Sequence, residues 1–221
     1  MMQKHDAEQG MVLIGFGGHA KSMADSVEAM GAYHIVGYTA PCPNLKAPYP
    51  YLGTDDALEE SHTFGTVFAA IGVGYMGRGH VRDDLVHRAR AIGYSFPVIA
   101  DPAAVVSCKS TVGEGSFLGK GSVLNVGVSV GEMCIVNTGA ILEHDVRVGN
   151  FTHVAGGAVV CGDVTIADHV LIGANATVIQ GICVGSHAVI GAGSVVLRDV
   201  PAGRTVCGVW KGDADGRETV G

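Results

Sequence analysis

The chain has 221 residues, enough for one or two domains with a substantial core. Its 48% apolar, 16% charged and 6% aromatic composition, with 34 glycines, suits a core filled by Val, Ile and Ala rather than by rings. A formal charge of −7 argues against nucleic-acid binding, and neither an apolar run of membrane-spanning length nor a signal leader is present.

Residues 1–10 are polar and patternless and are expected to fray. Met11 to Ile14 then reads as a strand running into Gly15-Phe16-Gly17-Gly18-His19-Ala20, with a helix predicted from Lys21 to Met30 and stopped by Gly31. Strand, glycine-rich turn and helix form the arrangement that aims backbone N–H groups at a phosphate. A glycine turn of this kind also occurs as simple backbone economy in α/β units, so the motif leaves both readings open. A second strand from His34 to Tyr38 ends at Thr39, where a dinucleotide dehydrogenase would place an acid to hold a ribose; NAD is therefore rejected. A Pro-rich loop spans Pro41 to Pro50. A third strand, Thr66 to Ile71, ends in Gly72-Val73-Gly74; a helix from about Arg78 to Ile92 and a strand from Ser95 to Ile99 follow. Residues 11–100 thus read as a small βα domain, with a boundary near Ala100-Asp101-Pro102.

From Val106 to Val196 every sixth residue is aliphatic, beginning Val106, Val112, Leu118, Leu124, Val130 and Val136. Four residues after each comes a second small or β-branched residue, such as Ser116, Ser122, Cys134, Ala140 and Ala158. Neither a helical period of 3.6 nor a strand period of 2 produces that series; a hexapeptide solenoid of about five coils does, with three short strands per coil and both series pointing inward. The six cysteines lack paired metal spacing and read as reduced thiols, several of them small core residues, in a soluble cytoplasmic protein. After Val196 the repeat breaks, and the tail beyond Gly212 is expected to be disordered.

At Leu142-Glu143-His144-Asp145 three ionisable residues replace the usual glycine corner, so His144 is expected to face outward. His153 also falls at an outward phase, elsewhere on the perimeter. An exposed corner histidine with no role is the commoner fate of a lone His, and the neighbouring acids raise a functional reading of His144 only modestly.

The hexapeptide pattern resembles the left-handed parallel β-helix of the hexapeptide acyltransferases. The string Val136 to Asp145, Phe151 to Val154 and the Gly17-Gly18-His19 turn are together similar to one branch, the NeuD/PglD type of bacterial sugar acetyltransferase. That branch comprises N-acetyltransferases of nucleotide-linked 4-amino-4,6-dideoxy sugars and sialic acid O-acetyltransferase. The resemblance implies an α/β Rossmann-like domain over 11–100 that binds a nucleotide-linked amino sugar, and a β-helix over 101–212 that uses acetyl-CoA without a metal. It implies a homotrimer with active sites between subunits, His144 as general base and Asp145 as the group orienting it. Amine and thioester would then react directly, because a positioned imidazole can take the amine proton. Asn137 and His153 would line the thioester, and Ala174 and Ala192 the pantetheine arm. Gly15, Gly17, Gly18, His19, Thr39, Ile71, Gly72 and Val73 would form the nucleotide-sugar pocket. Two departures stand out: Thr39 where relatives that bind uridine carry an acid, and Gly208-Val209-Trp210-Lys211 where the family commonly has Gly-Val-Pro-Ala-Lys. Trp210 would either stack on CoA or shield the end of the prism.

Four other readings compete. O-acetylation of a sialic-type sugar shares the fold and the base, and a sugar-nucleotide-binding scaffold would share the N-terminal pocket. A zinc carbonic anhydrase needs three converging imidazoles, whereas His169 and His187, one coil apart, supply two. A thiol-acyl route through Cys161 lacks an adjacent activating residue.

Overall fold

A computed structural model describes residues 9–75, 77 and 79–212; the expected disorder of residues 1–8 and 213–221, and the helix start at Arg78, lie outside the described residues. The N-terminal unit is a parallel sheet in the order β3-β2-β1-β4, made of β1 (Gln9–Ile14), β2 (Tyr33–Thr39), β3 (Tyr51–Gly53) and β4 (Phe68–Ile71). Three helices accompany it: α1 (Gly18–Met30), α2 (Ala57–Thr63) and α3 (Val81–Ile92). Met11 to Ile14 are fully buried, as a central parallel strand covered on both faces requires. α1 begins at Gly18, earlier than expected, and ends at Gly31 in the left-handed region (φ 66). Gln9 and Gly10, expected to fray, pair with Tyr33 and His34.

The expected strand from Ser95 to Ile99 does not join this sheet. Only a bridge links Ser95 to Phe68, while Ile99–Ala100 pairs with Phe117–Leu118 as the first strand of the next unit. That unit is a prism of parallel two-residue strands. Its first face stacks seven strands from Ile99–Ala100 to Thr205–Val206, its second seven from Val105–Val106 to Val209–Trp210, and its third five from Thr111–Val112 to Cys183–Val184. Both hexapeptide series point inward, with Leu118, Val136, Leu142, Val154, Ala140 and Ala158 all essentially sealed. Val106, at the open end, remains 41% exposed. The coil also runs past Val196: a short detour bridges Val200 to Val184, then Val206 and Trp210 close another layer. Trp210 donates from Nε1 to Asp199 O (3.0 Å), with Arg204 over its ring, so it packs on the end of the prism.

The three outward surfaces differ. The first, carrying Ile99, Phe117, Ile135, His153 and Leu171, is buried beneath β1, α1 and Tyr75, with which it forms one apolar cluster. The second carries Val105, Val123, Ile141, Val159, Thr177, Val195 and Val209, and the protomer leaves it uncovered. The third is polar, with Thr111, Ser129, Arg147, Thr165 and Cys183. Cys134 alone among the cysteines is fully buried; Cys161 is half-buried and the other four are exposed, against the expectation of several core thiols.

Candidate active site

At the C-terminal end of the N-terminal sheet lies a cavity of about 540 Å³, lined by the Gly15–Gly17 turn, the Ala40–Leu45 loop and Val73. This is where open α/β sheets bind ligands. Close backbone approach shapes its floor: a Cβ on Gly72 would sit 2.2 Å from Gly15 O, and Gly15 itself has φ 87. Gly17 and Gly18 face open space, and no side chain caps α1, so its first N–H groups are free to meet an anion. The Ala40–Leu45 loop is held from below, where the Tyr38 hydroxyl accepts from Asn44 N (2.7 Å), and from the side, where Tyr51 donates to Ala40 O (3.0 Å).

Of the residues expected at this pocket, Gly15, Gly17 and Val73 line it and Gly18 opens the helix behind it. Ile71 and Thr39 are buried in the sheet. Thr39 donates to Asp55 Oδ1 (2.6 Å), in the turn after β3. His19 faces the prism instead, edge-on to Phe117 with centroids 5.3 Å apart. Burial, the Arg82 guanidinium and neighbouring His153 lower its pKa to about 3, which keeps it neutral.

Arg82 was not anticipated, although a signal existed: with Val86 and Ala89 it falls on the apolar stripe of α3. It is 4% exposed and donates to Val73 O and, at 2.9 Å, to Met133 O. One guanidinium thus fastens the loop after β4 to the prism. Burial pushes its pKa down to about 10, leaving it cationic at neutral pH.

On the prism, the edge between the first and second faces collects Asn137, Ala174 and Ala192, the last two exposed. His153, next to that edge, proves buried at 8% exposure rather than solvent-facing, because the chain around Tyr75 covers it; its Nδ1 lies 2.7 Å from Tyr75 O. Its Nε2 is 3.4 Å from Asn137 Nδ2.

His144 lies on the other edge of the second face, between second and third faces, and is exposed as expected. Its Nδ1 is 3.0 Å from Asp145 Oδ2, and Asp145 adopts φ 60 at the corner. With Nδ1–H donated to the carboxylate, Nε2 presents a lone pair outward. The imidazole rests on Gly162 of the next coil, where a Cβ would stand 2.4 Å from Nε2. No residue-level motif flagged Gly162; only the stacking of coils does. The His144 and Asn137 edges are separated by the width of the second face, so one protomer does not bring them together.

The competing chemistries fare poorly. His169 and His187 stack face to face at 4.8 Å and 1°, presenting ring faces rather than lone pairs to each other. No cluster of three metal-ligating side chains occurs among the described residues. Burial, and then Glu143, raise the Cys161 pKa and disfavour its thiolate.

Comparison with known proteins supplies the decisive observation. Residues 11–88 match the PglD N-terminal domain model, 110–144 the hexapeptide repeat of succinyl-transferase, and 163–198 the bacterial transferase hexapeptide. PerB from Caulobacter crescentus, solved with CoA and GDP-perosamine, is 32% identical with a TM-score of 0.86, covering 91% of this chain and 95% of its own. The chain belongs to the PglD/NeuD family of hexapeptide-repeat sugar acetyltransferases. The prism is accordingly the left-handed parallel β-helix of that family. The acetyltransferase domain of PglB from Neisseria gonorrhoeae, also solved with acetyl coenzyme A, is likewise similar: 32% identity, TM-score 0.84, 90% of this chain and 97% of that one. WeeI from Acinetobacter baumannii, at 21% identity, shares the fold. No curated protein matches the sequence.

Proposed function

We propose that the protein transfers the acetyl group of acetyl-CoA to the 4-amino group of a nucleotide-linked 4-amino-4,6-dideoxy sugar. The observation that carries this is the likeness, over nine-tenths of the chain, to a protein solved with CoA and GDP-perosamine together. The geometry agrees. Residues 11–100 offer a cavity and an uncapped helix N-terminus suited to a nucleoside diphosphate. Residues 101–212 offer a prism edge of small exposed residues along which a pantetheine arm can lie.

In the proposed step the amine nitrogen attacks the thioester carbonyl carbon, and His144 Nε2 takes the amine proton while Asp145 holds the ring and stabilises its cation. Collapse of the tetrahedral intermediate breaks the C–S bond and releases the CoA thiolate, which regains a proton. No acyl-enzyme is formed, and catalysis rests on positioning and on a donor to the oxyanion.

The active unit is a homotrimer with sites between subunits. Its support is the uncovered aliphatic second face, where Val105 is 62% and Val209 59% exposed. That face lies between the His144 and Asn137 edges, so a copy packed on it can present its own edge to the neighbouring one.

A thiol-release assay with acetyl-CoA and UDP-, dTDP- and GDP-linked 4-amino sugars, plus free and activated sialic acid, tests the reading. Release with an amino sugar is expected. Release with sialic acid alone would move the assignment to O-acetylation, and silence throughout would favour a scaffold.

A further inference from the structure

Asp101 is an ionisable residue sealed at the junction of the two units: it is 4% exposed, in the turn that follows the first strand of the prism. A carboxylate buried there must be neutralised by donors. Its Oδ2 accepts from Ser26 Oγ (2.6 Å) and from Lys120 Nζ (3.0 Å), and its Oδ1 from the Ala103 backbone N–H (2.9 Å). Lys120 also reaches Asp25 Oδ2 (2.6 Å). Burial alone would raise the Asp101 pKa, but these donors outweigh it and hold the carboxyl below the usual carboxylate range, so it is charged at neutral pH.

The partners come from both units. Asp25 and the fully buried Ser26 lie in the middle of α1, roughly two turns from Gly18, where α1 opens at the cavity. Asp101 and Lys120 sit in consecutive coils on the prism edge between the first and second faces. A ladder of backbone bonds runs down that edge, from Lys120 O, which accepts from Gly139 N (2.9 Å), to Ala174 O, which accepts from Gly193 N (2.8 Å). α3 is tied to the prism separately, through Arg82 and through Arg90, which pairs with Glu132 (2.6 Å).

We infer that Asp101 is a positioning residue that fixes α1, and with it the cavity α1 opens, in register with the prism edge proposed to hold the pantetheine arm. It acts through the helix rather than on a reacting atom. Its part in turnover rests on the acetyl-transfer reading, whereas the docking of α1 does not.

Asp101→Asn keeps the shape but has one acceptor oxygen and one amide. Turned either way, its N–H groups face the Ala103 N–H or the Lys120 ammonium, so one donor loses its partner. Ser26→Ala removes only the bond to α1 and leaves the contacts within the prism intact, which guards against a failure to fold. In hydrogen exchange of the full-length protein without substrates, both variants should exchange faster in α1 and keep wild-type protection in α3. An unchanged α1, or an α3 loosened as much as α1, would overturn the docking role. In the thiol-release assay, well below the melting temperature, Asp101→Asn should lower kcat by about 10- to 10²-fold with little change in the KM for acetyl-CoA, as misplacement on the 1 Å scale requires. Ser26→Ala should lower kcat by a smaller factor. Wild-type kcat in a variant whose α1 has loosened would contradict the positioning role. Silence of the wild-type protein itself would overturn the transfer reading, and the exchange result would still decide the docking.

Discussion

Gly162→Ala tests the proposed role of His144 as general base without substituting His144 itself. A methyl group there would lie 2.4 Å from His144 Nε2, 2.5 Å from Cε1 and 2.9 Å from Cδ2. Gly162 is not in the left-handed region, so alanine brings no backbone strain. Because the imidazole is an exposed side chain, it yields and the coil does not. Restoring ordinary van der Waals contact requires the ring to move by about 1 Å, and misplacement on that scale costs about 10²-fold in rate. That corresponds to about 2.7 kcal/mol of transition-state stabilisation. The expected result is a kcat near that of His144→Ala, which should itself lose about 10²-fold or more, with a melting temperature close to wild type. Thiol release and thermal unfolding measured side by side give both numbers. Wild-type turnover in a normally folded Gly162→Ala protein would refute the proposed role of His144 as a base positioned against the next coil.

Three further outcomes follow from the same structure. Arg82→Met removes charge-assisted donors from Val73 O and Met133 O; we expect a loss of about 1–3 kcal/mol, seen as a fall of several degrees in Tm, and a KM for the amino sugar that rises more than kcat falls. His19 binds a proton in the unfolded chain below about pH 6.5 but not in the folded one until about pH 3. Stability should therefore decline as pH falls through that window, by at most about 1.4 kcal/mol per pH unit from this group, and His19→Gln should flatten a urea-unfolding profile across it. Ile141→Glu places a charge on the uncovered second face and should give monomers in sedimentation, with strand structure retained and turnover lost; a fully active monomer would remove the intersubunit site.

The prism was legible because one residue type recurs at one spacing, so both inward series follow from the spacing alone. The N-terminal unit was read less completely. β3 has only three residues, and α2 buries Leu58 alone, so neither carries a periodic stripe. The stretch to Ile99 looks like a strand and ends as one, but it pairs with Phe117–Leu118, a partner that local pattern does not reveal. His153 illustrates the same limit. Coil phase correctly puts it outside the prism, while its burial depends on Tyr75, far away in sequence. The His144–Asp145 pair needed no such context, since adjacent residues at an open corner meet whatever lies elsewhere.

The proposed function requires direct transfer from a thioester to a sugar amine within one complex. Initial rates of thiol release, measured while acetyl-CoA and a nucleotide-linked 4-amino sugar are varied together, address it most directly. Intersecting double-reciprocal lines, with mass spectrometry placing the acetyl group on the amine, are the predicted result. Parallel lines, which mark an acyl-enzyme, or no release with any amino sugar, would contradict it.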